Sequence, residues 1–223
     1  MIARTDAYGD GTMATARKQR ANGVASRQKI IEAALEIASE RGYEGTSISA
    51  VSERSGLPPS SIYWHFENKD ELIAAVIDHS FEQWRGLTPI PHDAVADDRD
   101  EALATSMRRA GHAIADANDF LRLGLMLALE RRPEEAAGRA RFLAIRRATR
   151  DELETYHRKV FGGDLDDRSL DLVGRLAMAA ADGLFIAREI DDEDVDIEEA
   201  MELMGVALAA IADHLSARAG RAE

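Results

Sequence analysis

From Arg27 onward the apolar positions fall at helical spacing. Ile30, Ile31, Ala34, Leu35 and Ala38 line one face, and Gly42 follows Arg41 as a stop. Ser47 is placed to cap a short helix carrying Ile48 and Val51, which Gly56 ends. Leu57-Pro58-Pro59 makes a tight connection, with Pro59 suited to a helix start. A second short helix runs to about Phe66. Asn68 and Glu71 then form a capping box for a helix carrying Leu72, Val76, Ile77 and Phe81 towards Trp84. The segment Gly86 to Pro91 holds two prolines and breaks the chain. Beyond it the pattern predicts helices near 99–117, 119–131, 134–161, 167–189 and 196–218, with no strand-like alternation anywhere. The expected class is therefore all-α. Residues 1–24 show no apolar period and read as a flexible basic arm.

The last helix has the cleanest period: Ile197, Met201, Met204, Leu208, Ile211 and Leu215. Such a seam packs against a partner helix at a shallow angle. The helix before it offers Leu172, Leu176, Ala179, Ala180 and Gly183. Together these predict either half of a four-helix bundle shared with a second subunit or an intramolecular seam.

Charge changes the picture. The 223 residues carry a net charge of −13 and lack cysteine, which excludes disulfides, thiolate metal sites and a Cys nucleophile. Yet residues 1–30 hold six basic groups against two acidic ones, so contact with a polyanion is expected at the front. The longest unbroken apolar run near the middle, Leu123 to Leu129, is far too short to span a membrane, and the first residues carry no apolar signal core. A soluble, cytoplasmic protein without a membrane partner is the expectation.

Ser47 to Lys69 carries the function. Two short helices around a glycine turn make a helix-turn-helix. Ile62 and Phe66 share the inward face of the second helix. Ser60, Ser61, Tyr63, Trp64 and His65 are left for the other, which is rich in hydrogen-bonding groups. No acidic residue lies between Leu57 and Phe66, where a carboxylate would repel a phosphate backbone. Such a face suits the DNA major groove, with Tyr63, His65 and Lys69 reaching phosphates.

Ile62-Tyr63-Trp64-His65-Phe66 followed by Asn68-Lys69, after Gly56 and behind the helix from Arg27, resembles the TetR family of bacterial transcriptional regulators. The likeness is detailed over about residues 25–85, the expected DNA-binding domain, and extends in layout to 86–223, the expected ligand-binding and dimerisation domain. It implies a homodimer on a palindromic double-stranded operator, released by a small molecule, with no cofactor. By position it places Ser61, Tyr63, His65 and Lys69 at phosphates, and Pro59, Ser60 and Trp64 in or beside the groove. Arg27 and Thr46 fall near the backbone, and Ser47 and Ser49 complete the DNA-facing set. Ser49 stands where many members have Arg, Ser52 and Ser55 where Ala is usual, and Pro59-Ser60 where a polar-Gly pair is commoner.

In the body, the helix from Phe120 is apolar nearly all round and is expected to be buried. Leu123 and Met126 on it, with Phe142, Arg146, Thr149, Leu153 and Tyr156 on the next, are the expected ligand residues. Arg122, Arg150 and His157 are further polar candidates, although ion pairing with the many carboxylates is the simpler fate for the arginines. His112 and Asp116 have metal-ligand spacing but no third ligand, so no metal is expected. Catalytic signatures are missing: no Gly-x-Ser-x-Gly, no phosphate loop and no His-Glu-x-x-His occurs. The competing readings are a helical ligand-binding protein or enzyme with a vestigial helix-turn-helix, and a ligand-independent DNA-binding activator.

Overall fold

The computed structural model describes residues 10–87, 98–116, 118–130, 136–191 and 196–219. Among the described residues there are nine helices and no strand. They are α1 (Asp10–Gly45), α2 (Ile48–Ser55), α3 (Pro59–His65), α4 (Lys69–Leu87), α5 (Arg99–Asp116), α6 (Asn118–Leu129), α7 (Ala137–Phe161), α8 (Asp167–Ile190) and α9 (Ile197–Ala219). The chain divides into two units, Met1–Val76 and Ile77–Glu223, so the boundary falls inside α4 rather than near residue 85.

α1 begins at Asp10, which corrects the reading of residues 1–24 as an arm: 10–24 are helical, and 1–9 lie outside the described residues. Near its end α1 bends at Gly42, whose φ is 69°. In the first unit Ile30, Ile31, Ala34, Ile37 and Ala38 of α1 are buried with Val51 of α2, Ile62 of α3 and Leu72, Ile73 and Val76 of α4. The expected caps form. Ser47 accepts from the Ala50 N–H at 3.1 Å, and Asn68 Oδ1 accepts from the Glu71 N–H at 2.9 Å. The Glu71 carboxylate reaches the Glu67 N–H at 2.6 Å, one residue before the position a capping box would use.

In the second unit α5 and α9 form the most extensive helix pair. A Cβ at Gly205 would lie 2.9 Å from the Ala104 Cα, and one at Gly111 would lie 3.1 Å from the Glu198 Cα. The two backbones meet where side chains are missing. Ion pairs Arg99–Asp213 and Arg108–Glu202, both at 2.9 Å, flank this contact. Met201 and Leu208, expected at a subunit interface, are instead buried within the chain beside Ile197, Ala209 and Ala212. Met204, Ile211 and Leu215 are half-buried. The seam on α9 therefore serves α5 in the same chain. The apolar surface left open on α9 is the opposite stripe, with Leu203 62% and Val206 61% exposed. On α8, Leu172, Leu176, Ile186 and Ile190 are exposed, and Ala180 is half-buried at the edge of that face.

By length and composition α9 could cross a membrane, but it presents its apolar seam to α5. α6 is less buried than its sequence suggests: Leu123 and Leu127 face the core, whereas Met126 and Leu129 point outward.

Candidate functional site

The first candidate surface is built by α2, α3 and their turn. Gly56 adopts φ 69°, ψ 15°, the left-handed geometry that ends α2 and reverses the chain. Ser52 Oγ donates to the Leu57 carbonyl at 2.7 Å and ties the turn to α2. Pro59 opens α3 with its φ already helical. Ile62 and Phe66 are buried and pin the rear of α3 to the core. Tyr63 and Trp64 are 56% and 76% exposed, and Pro59, Ser60 and Ser49 also face out. Trp64 stands edge-on to His65, centroids 4.5 Å apart, with its ring against Gly23 of α1. Asn22, Gly23, Ser26, Ser60, Ser61, Trp64 and His65 line a polar groove between α1 and α3.

Burial, and then the nearby Arg27 guanidinium, push the His65 imidazole below its usual range, so at neutral pH it is an uncharged donor. Arg27 is exposed and lies over the Phe66 ring, 5.2 Å from its centroid. Lys69 Nζ donates to the Tyr43 carbonyl at 2.9 Å and sits over the Tyr43 ring, leaving two of its three N–H groups uncommitted to that bond. Thr46 departs from expectation. It is fully buried, and its hydroxyl donates to the Gly42 carbonyl at 2.9 Å. Its side chain closes the end of α1 and does not face the surface. Ser47 remains exposed although its oxygen caps α2.

The second candidate surface is a cavity of about 100 Å³ in the second unit. Trp84, Met107, Ile114, Phe120, Ile145 and Leu153 give it an apolar wall, and Arg146, Asp182, Thr149 and Ser106 add polar groups. Arg146 binds Asp182 in a two-point ion pair at 2.8 and 2.5 Å. Of the residues expected at a ligand, Arg146, Thr149 and Leu153 line this cavity, and Leu123, Met126, Phe142 and Tyr156 do not. Phe142 packs on Gly124, where no Cβ would fit, and Leu123 is buried away from the space. Tyr156 donates to the Ala102 carbonyl at 3.0 Å and is otherwise enclosed, which pushes its phenol above the usual range. Met126 is 46% exposed.

Sequence reasoning missed Trp84, Met107 and Asp182 as lining. The available signal was an aspartate amid the small residues of α8, opposite an arginine on the inward stripe of α7. Arg122 pairs with Glu189 at 2.5 Å, and Arg150 with Asp171 at 3.9 Å, which is the simpler fate expected for them. His112 meets Glu198 at 3.0 Å. Among the described residues no His, Asp and Glu group could hold a metal, and most of the acidic run after Asp191 lies outside them.

A glycine-turned helix pair with an outward aromatic and hydroxyl face, joined to a helical companion unit, defines the helix-turn-helix class of protein. Residues 30–76 match the family model of bacterial regulatory proteins, tetR family. Over these residues the chain is similar to the TetR family. It is 30% identical over 67 residues to the biofilm operon icaADBC HTH-type negative transcriptional regulator IcaR of Staphylococcus epidermidis, covering 30% of this chain and 36% of that one. With the HTH-type transcriptional regulator TtgR of Pseudomonas putida it shares 36% over 66 residues, 30% of this chain and 31% of that one. The matches thus span about a third of these relatives' length. The structure resembles that of SmeT, the repressor of the Stenotrophomonas maltophilia multidrug efflux pump SmeDEF. The TM-score is 0.63 with 18% identity over 82% of this chain and 88% of that one, a likeness of fold.

Proposed function

We propose that the protein is a transcriptional repressor that binds a palindromic DNA operator as a homodimer and releases it when a small molecule enters the second unit. The observation that carries the reading is the face of α3: exposed Tyr63 and Trp64 beside Ser60, Ser61 and His65, free of carboxylates in a chain of net charge −13. A helix of this size enters the major groove, its hydroxyl and imidazole groups contacting phosphates and its aromatic edge reading bases. Two copies must lie about 34 Å apart to reach successive grooves, which a dimer sets. The open stripes on α8 and α9 support an isologous interface made from both helices.

Release follows from one continuous helix. α4 starts at Lys69 beside α3 and carries Trp84 into the cavity wall. An occupant that moves Trp84 bears on the helix whose other end holds the DNA-facing unit. It shifts the equilibrium only by its differential affinity for the two states. A regulator of this kind works in the cytoplasm and needs no catalytic group or cofactor.

The test is a gel shift on DNA flanking the protein's own gene. Tyr63→Ala is expected to lose binding by tenfold or more at unchanged fold and thermal stability. Retained specific binding by that variant would remove α3 from the interface.

A further inference from the structure

The apolar cavity does not stand alone. Beside it on α7 and α8 runs an open groove of about 360 Å³ lined by Arg146, Arg147, Arg150, Arg175, Met178 and Asp182. Arg146, Met178 and Asp182 belong to both spaces, so the two share a wall. We propose that cavity and groove form one site for an amphiphile with a short apolar tail and a carboxylate or phosphate head. This deepens the ligand-release reading and rests on it.

Charge selects the head. Four guanidinium groups line the groove. The carboxylates that engage them are Asp182, bound to Arg146, and Asp171, 2.7 Å from Arg175 and 3.9 Å from Arg150. Among the described residues no carboxylate pairs with Arg147, which is exposed. A local excess of arginine in so acidic a chain is a place for an anion, because planar guanidinium groups match carboxylate and phosphate oxygens. Asp182 opposes that anion, and its ion pair forms the shared wall that an occupant must loosen.

Size selects the tail. Drug-sized ligands occupy roughly 300–1,000 Å³, and a dry cavity of about 150 Å³ takes benzene. A space of about 100 Å³ walled by Met107, Ile114 and Phe120 holds a few methylenes. An extended chain can lead from there past Arg146 to the arginines.

The test uses Trp84 as reporter, since Trp64→Phe removes the second of the chain's two tryptophans. Hexanoate, hexyl phosphate, hexanol, hexylammonium and inorganic phosphate are titrated against Trp84 fluorescence. The two hexyl anions are expected to bind at least tenfold more tightly than hexanol, and inorganic phosphate alone is expected to leave Trp84 unchanged. The tighter of the two anions identifies the head group. Arg147→Ala should weaken both anions about tenfold and leave hexanol unaffected, while Asp182→Asn should strengthen them. The inference is overturned if hexanol or hexylammonium equals the anions, if phosphate alone reproduces the signal, or if no probe moves Trp84. Hexanol that releases operator DNA from the wild-type protein at the same concentration as the anions would sink the anionic head and keep ligand release. An anion that binds without releasing operator would do the reverse.

Discussion

The two units use their apolar residues differently. In the first, structure and chemistry occupy opposite faces of a seven-residue helix: Ile62 is buried, and Tyr63 and Trp64 stand out. In the second they are mixed. α8 and α9 each carry one apolar stripe turned inward and another left open, and α7 carries Phe142 into the core but Arg146 to the cavity. A face split cleanly between core and solvent can be assigned from sequence alone. A helix apolar on two sides cannot, because either stripe satisfies the same period.

The largest expected effect tests that ambiguity directly. Leu208→Ala should cost about 3 kcal/mol, the usual range for a fully enclosed leucine, and the loss should not depend on protein concentration. Leu203→Glu, on the open stripe, should leave the isolated chain's stability nearly unchanged and shift sedimentation from dimer towards monomer. If Leu208→Ala proves the one that dissociates a dimer, the assignment of stripes is reversed.

A second test is specific to the helical body. His157 is fully buried beside Tyr156 and Phe161, and among the described residues neither ring nitrogen has a hydrogen-bond partner. Burial pushes its imidazole down to about 4, from an ordinary 6.5. Below pH 6.5 the unfolded chain takes up a proton that the folded one refuses. Stability is therefore complete above 6.5 and declines as pH falls towards 4, by about 2–3 kcal/mol. His157→Leu should flatten this part of a melting-temperature profile and be neutral or stabilising at pH 7, since it removes an unpartnered polar group. An unchanged profile would show that carboxylates alone govern the acid limb.

What was readable in the chain follows the same division. The positions of α2 to α9 were legible from spacing, glycines and caps, and so was the exposed face of α3. The start of α1 was not, because residues 10–24 carry no apolar period to mark a helix. The partner of the α9 seam was not legible either. What settles it is the approach of Gly205 to Ala104, a contact between residues far apart in sequence. The cavity was half legible for a similar reason. Its α7 residues share a stripe, whereas Trp84, Met107 and Asp182 arrive from three other helices.

Hydroxyl groups show the limit even within the first unit. Thr46 and Ser49 look equivalent in sequence, yet one closes the end of α1 and the other faces solvent. Thr46→Val should cost about 1–2 kcal/mol by leaving the Gly42 carbonyl unpaired. Operator affinity of the folded protein should stay the same. Ser49→Ala should leave stability within about 0.5 kcal/mol, as for most surface substitutions. A Thr46→Val protein of full stability and weakened operator binding would return this residue to the interface.

Lys69 tests whether one side chain can hold the fold and contact DNA. Its ammonium holds the Tyr43 carbonyl and ring, so Lys69→Met should cost the fold about 1 kcal/mol or less. Two N–H groups remain for a phosphate. If they reach one, the slope of log affinity against log salt should become shallower by about 0.9, the release of one counterion equivalent. The slope separates the roles because a purely structural lysine would lower affinity equally at every salt concentration. A slope equal to that of the wild type would confine Lys69 to holding α1 against α4, and Tyr63, Ser61 and His65 would then carry the backbone contacts without it.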